Sequence, residues 1–330
     1  MTKGDTMNKL VSLFYNRDEH RLPAGWRIIA AFAIYLILNK AYIYLINSMG
    51  IMLNYSSDAP LSTFFIGGTV RLLPPLLALW ITGKFIDKRK ITDFGFLINK
   101  NWLLDFGFGF GLGAFLMIII FLVEHIFGFI TITEAFHTSN TEYNFIFPFM
   151  VFLFVFFCVG VGEELFARGY LIKNISEGFN SKSISPKTAI LIALVLSSVG
   201  FGIGHVGNPN ATFISTFNIA MIGIFLGIGY IYTGQLAIPI GLHASWNFFQ
   251  ANVFGFPVSG QNFPSAAVSL FKIEQGGPEF LTGGAFGPEA GLLGLLAMLL
   301  GIVITYLYIS KRNGIKPSEI FTPIADAPTK

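Results

Sequence analysis

Eight apolar stretches run at about 25–48, 62–84, 105–131, 144–174, 187–205, 212–232, 236–254 and 291–310 of a 330-residue chain. Each is long enough to cross a bilayer as a helix, which takes about 20 residues. Inside hydrocarbon every backbone group must find its partner within the chain, so repeated long stretches of this kind leave helices as the building element. Composition agrees. Charged residues make up 12% of the chain and hydrophobic ones 53%, and 37 phenylalanines exceed what the core of one soluble domain can hide. The chain therefore reads as all-α, a polytopic membrane protein of about eight transmembrane helices. Its single cysteine, Cys158, excludes an intramolecular disulfide framework and any CxxC zinc site.

Charge fixes the expected orientation. Eighteen of the 21 lysines and arginines fall on alternate connections: the segment up to Arg27, the loop with Lys84, Lys88, Arg89 and Lys90, the region from Arg168 to Lys187, and the tail from Lys311. The positive-inside rule puts those connections in the cytoplasm, with both termini inside. The first two dozen residues are charged and lack an apolar region ending in a cleavage site, so no cleaved signal peptide is expected. The chain divides into a cytoplasmic segment 1–24, helices 1–3 over 25–143, a core of helices 4–7 over 144–254, an outer loop with helix 8 over 255–310, and a tail 311–330. A net charge of +3 gives no reason to expect a nucleic-acid partner; the lipid bilayer is the expected surroundings.

Two segments have plain readings. Phe106–Gly113 (FGFGFGLG) opens an apolar span rather than following a strand, so it reads as helix packing through Gly107/Gly111 and Gly109/Gly113, not as a phosphate loop. The connection 255–290, rich in Gly, Pro and Phe, reads as a cap on the membrane surface without evident chemistry.

Charges within spans are costly and need a reason. Lys40 and Arg71 are expected to pair with an acid or to snorkel. Glu124 and His125, near the outer end of span 3, are expected to be solvated at the interface. The remaining set is different. Glu164 and Arg168 are four apart on one helix face and can pair, whereas Glu163 points about 100° away. His205 ends span 5, and His243 and Asn247 share a face of span 7. A carboxylate, two imidazoles and an amide suit hydrolysis of a peptide bond in a polar intramembrane cavity. Glu163 with His205 would deprotonate a water, and His243 with Asn247 would donate to the oxyanion. Alternatively, Glu163, His205 and His243 would hold a divalent metal such as Zn2+ whose bound water attacks. Or the polar groups satisfy one another in a transporter or structural bundle.

These residues resemble the signature of the CAAX-processing and bacteriocin-immunity family of intramembrane endopeptidases, whose motifs are EExxxR, FxxxH and HxxxN in that order. Here they read Glu163-Glu164-…-Arg168, Phe201-…-His205 and His243-…-Asn247, over about residues 145–255. The segment Gly283–Gly291 (GGAFGPEAG) is similar to bacterial members. One departure is Ala167 before the motif arginine, where an aromatic residue is usual. The resemblance implies an endopeptidase with Glu163 as base, His205 as its partner on the water, His243 and Asn247 as oxyanion stabilisers, and Glu164 with Arg168 holding the helix. It implies a membrane or lipid-modified peptide substrate and is compatible with either a metal or a metal-free Glu–His pair. By style the chain is bacterial, which places it in the cytoplasmic membrane. Two other readings stand beside it: a non-enzymatic immunity or scaffold protein, and a proton-coupled transporter. HExxH and GxGD are absent, and Ser259-Gly260 lacks the flanking residues of a serine protease.

One geometric demand follows. His243 lies about eight residues past the Thr233–Gln235 turn, so ideal helices leave it some 15 Å short of Glu163 and His205. The helices or turns must be unequal in depth, with Pro239 one place for a bend. The cavity is expected to open toward the cytoplasm.

Overall fold

The computed structural model describes residues 14–16, 20–56, 59–139 and 142–312; the expected segment up to residue 13 and the tail from 313 lie outside them. The eight expected helices are α1 (Ala24–Ser48), α2 (Leu61–Asp87), α3 (Lys100–Ile126), α4 (Ile146–Phe179), α5 (Pro186–Ile203), α6 (Phe213–Thr233), α7 (Ala237–Phe248) and α8 (Leu292–Arg312). Seven are long and apolar enough to cross a membrane. α7 is the exception. It has 12 residues, extended by a π-helical turn Phe249–Val253, and nearly all of it is buried. It is the central helix, wrapped by others rather than by lipid. The chain is an all-α polytopic membrane protein.

The basic ends gather on one face, held by ion pairs described below. The opposite face carries an addition that the apolar pattern did not announce. β1 (Ile130–Thr138) pairs antiparallel with β2 (Val268–Gln275), a two-stranded sheet across nearly 140 residues of sequence. Span 3 thus stops at Ile126, short of residue 131. Glu124, expected to be solvated, is fully buried beneath this sheet, where its Oε2 accepts from Gln275 Nε2 at 3.5 Å. His125 is exposed and stacks beside Phe121.

The depth problem is solved by a recessed turn. Ile238, in the first turn of α7, packs on Gly109, nine residues into the parallel helix α3. α7 therefore begins roughly 13 Å above the basic end of α3. The space beneath is filled by the 3-10 turn Ile91–Phe94, whose Phe94 is fully buried, and Leu236 N–H donates to Gly95 O at 2.9 Å. Pro239 lies in the first turn of α7, where proline needs no bend.

The glycine stripe on α3 packs through one pair only. Gly109 and Gly113 abut the Ile238 carbonyl and Ser245 Oγ, leaving no room for a β-carbon, while Gly107 and Gly111 face open space.

Candidate active site

α4 carries the acidic pair at a change of helix type. Regular α-helix ends at Glu164 and a π-helical stretch runs over Leu165–Ile172; such wide turns recur at functional sites. Its irregular carbonyls find other donors, and Ser197 Oγ donates to Ala167 O at 2.6 Å. Gly162, beside the pair, lets α4 approach α2 until it touches the Arg71 carbonyl. Pro75 cannot donate to that carbonyl from within α2, so it is free to face α4.

Glu164 is completely buried. Its Oε1 accepts from Arg168 at 3.0 Å and from His243 Nδ1 at 2.7 Å. Arg168 also donates to Gly223 O at 3.3 Å and lies over the Phe201 ring, 4.2 Å from its centroid. The pair thus does more than brace one helix, because it joins α4 to α5, α6 and α7. With Nδ1–H committed to Glu164, His243 presents Nε2 elsewhere. That nitrogen stands 4.0 Å from Glu163 Oε2, and the Glu163 side chain is 27% exposed.

His205 lies just past the end of α5, and its Nδ1 donates to Phe201 O at 2.8 Å. The neutral ring is therefore the Nδ1–H tautomer, with an accepting Nε2. Phe201 stands between the two imidazoles, 4.8 Å from His205 and 6.1 Å from His243 between centroids. His205, His243 and Asn247 line one cavity of about 30 Å³, enough for a water or two. Glu163 does not line it and makes no close contact with His205. Its nearest imidazole is His243. The rest of the lining comes from the middle of α6 and α7, the start of α8 and the 255–290 connection.

The metal account finds no matching geometry. Among the described residues no group of three His, Cys, Asp or Glu side chains is placed to hold a metal ion. Glu163, His205 and His243 as arranged do not form such a set.

The cavity also contains two residues to which the sequence assigned no role in the site. Ser259 and Glu289, both from the 255–290 connection, line it. Glu289 is buried and accepts from Gln250 Nε2, from Ser259 N–H, and from Ser259 Oγ at 2.9 Å. Ser259 has a positive φ of 47°, strained for a non-glycine residue, and its carbonyl accepts from Asn208 Nδ2 at 3.0 Å. This connection is a roof that reaches down to the loop after His205. The one available signal was a lone carboxylate in the apolar GGAFGPEAG segment.

Residues 145–249 match the family model described as type II CAAX prenyl endopeptidase Rce1-like. This stretch is similar to that family's domain. It contains Glu163, Glu164, Arg168, His205, His243 and Asn247, and it supports a membrane endopeptidase of the CAAX type. No curated protein and no solved structure matches the chain.

Proposed function

We propose that the protein hydrolyses a peptide bond of a membrane-associated, lipid-modified peptide, using Glu163 as base on a water shared with His243. The observation that carries this reading is the 4.0 Å gap between Glu163 Oε2 and His243 Nε2 inside the Rce1-like domain. A water bridging such a gap gives one hydrogen to each acceptor and keeps a lone pair for attack. The water oxygen bonds to the scissile carbon as Glu163 takes its proton. The C–N bond then breaks, and the amine leaves with the proton that Glu163 returns. Asn247 Nδ2–H, one turn from His243 on the same cavity wall, donates to the oxyanion. His205 faces the same cavity. Glu164 acts on the reaction through His243, whose ring orientation and tautomer it sets.

We further place the basic face in the cytoplasm of a bacterial membrane, by the positive-inside rule. Purified protein in detergent, incubated with internally quenched membrane peptides, tests the reading. Wild type is expected to cleave, and Glu163→Gln to lower the rate roughly 10²–10⁴-fold with the fold intact. A folded Glu163→Gln protein that cleaves as fast as wild type would remove Glu163 as base.

A further inference from the structure

A second polar cavity, of about 830 Å³, lies between α1, α2 and the connection that follows α1. Ligand sites typically occupy about 300–1,000 Å³. Its polar lining comes from Tyr35, Asn39, Asn47, Asn54, Tyr55 and Arg71. Arg71 is halfway along Leu61–Thr82, roughly 15 Å from either end, too deep for its side chain to snorkel to an interface. It is exposed to the cavity, and among the described residues no carboxylate lies within ion-pair distance of it. The expected pairing of Arg71 with an acid is thus not made among the described residues.

The cavity adjoins the catalytic pair. Gly162, next to Glu163, touches the Arg71 backbone, and Tyr35 lies within electrostatic reach of both Arg71 and Glu163. An intramembrane cation with no carboxylate beside it among the described residues calls for an anion, and the arginine fork matches carboxylate and phosphate oxygens. The three asparagines favour a peptide over a lipid. Their amides both donate and accept, as a peptide backbone does, and acyl chains have no use for them.

We propose that this cavity binds the peptide substrate and that Arg71 takes a carboxylate of that peptide. The orientation toward Glu163 rests on the endopeptidase reading, but binding can be measured without cleavage. Three fluorescein-labelled apolar peptides distinguish the source of the carboxylate: one with a free C-terminus, one with a C-terminal amide, and one amidated with an internal Asp. Their affinities for wild type, Arg71→Gln and Arg71→Lys in detergent are read by fluorescence polarisation. Wild type is expected to bind one of the two carboxylate peptides roughly 10- to 100-fold more tightly than the plain amide. The preference disappears in Arg71→Gln and is partly kept in Arg71→Lys, which has the charge without the fork. Should Arg71→Gln fail to fold, Asn39→Asp places a negative charge in the same cavity and is expected to reduce the preference.

Equal affinity of wild type for all three peptides overturns the proposal, as does a preference that survives in Arg71→Gln. Native mass spectrometry adds a further arm. An anionic phospholipid retained by wild type and lost from Arg71→Gln, with peptide affinities unchanged, would assign Arg71 to a lipid phosphate instead. A Glu163→Gln protein that still cleaves sinks the endopeptidase reading and leaves these affinities standing; equal affinities sink the subsite and leave cleavage standing.

Discussion

Among the described residues, the arginine–carboxylate cluster at the basic face and the one at the candidate site are built differently. At the basic face, Asp87 and Glu177 have all four carboxylate oxygens occupied. Asp87 accepts from Arg27 at 3.2 Å and Tyr170 at 2.9 Å, and Glu177 accepts from Arg21, Arg27 and Arg89. At the candidate site, Glu164 engages Arg168 and His243 through Oε1 alone; its Oε2 is buried without a donor among the described residues. Glu163 makes no hydrogen bond among the described residues, and its ion-pair contact is His243 Nε2 at 4.0 Å. The first cluster is closed on itself and ties α1, α2 and α4 together. The second keeps hydrogen-bonding capacity in reserve. On the reading proposed above, the first cluster is structural, and the second leaves the partly exposed Glu163 available to the reactants.

That contrast breaks first at Glu163. Glu163→Gln is expected to cost up to about 10⁴-fold in cleavage while the thermal unfolding midpoint hardly moves, because the side chain is partly exposed and loosely held. Next comes Glu177→Gln, with the reverse signature. It leaves three arginines facing a neutral amide, which should cost roughly 3–5 kcal/mol of stability. Cleavage per folded molecule should stay near wild type. If Glu177→Gln lowered that rate as far as Glu163→Gln does, the two clusters would be one functional unit.

Arg168→Lys sharpens the boundary between the two kinds. The ammonium can keep Glu164 but has no second arm for Gly223 O and no plane to lay on Phe201. The expected cost is about 1–3 kcal/mol in stability. A parallel loss of cleavage would follow through Phe201, which stands between His205 and His243. An unfolding midpoint unchanged in Arg168→Lys would assign the fork no structural role.

The site was legible in the sequence wherever helical spacing carries the geometry. Glu164–Arg168, Phe201–His205 and His243–Asn247 are each four apart, and four residues return a helix to the same face. Which imidazole meets Glu163 depends on the depth of the α6–α7 turn. That depth is set by the Ile91–Gly95 segment tucked beneath it, a contact across some 140 residues with no local signature. The glycines of α3 fail for a similar reason. Gly107/Gly111 and Gly109/Gly113 have identical spacing, and only the position of α7 decides which pair is used. Ser259 and Glu289 could not be placed at the cavity from the sequence because each sits in a turn, where no period links residue to position. The β1–β2 pairing joins a largely exposed strand to a mostly buried or half-buried one from a distant part of the chain, with no hairpin turn to announce it.

The roof supplies the smallest effect and an intermediate case. Glu289 has its oxygens occupied, like the basic-face carboxylates, yet it lines the cavity and among the described residues has no cation within ion-pair distance. Burial pushes its carboxyl above the ordinary range, opposed by the hydrogen bonds from Gln250 and Ser259. A carboxyl raised in the native state binds its proton more tightly there than in the unfolded chain, where the value is about 4.3. Its contribution to stability is therefore complete below about pH 4.3 and falls as pH rises through the native value. Glu289→Gln removes that titration. The amide also faces donors on both sides, which lowers stability at every pH, so the slope rather than the height is the measure. Between about pH 4.5 and 7, the gap in unfolding midpoint between wild type and Glu289→Gln should narrow as pH rises. A gap that widens would mean that the carboxylate is stabilised as an anion, and Glu289 would then belong with the closed cluster at the basic face.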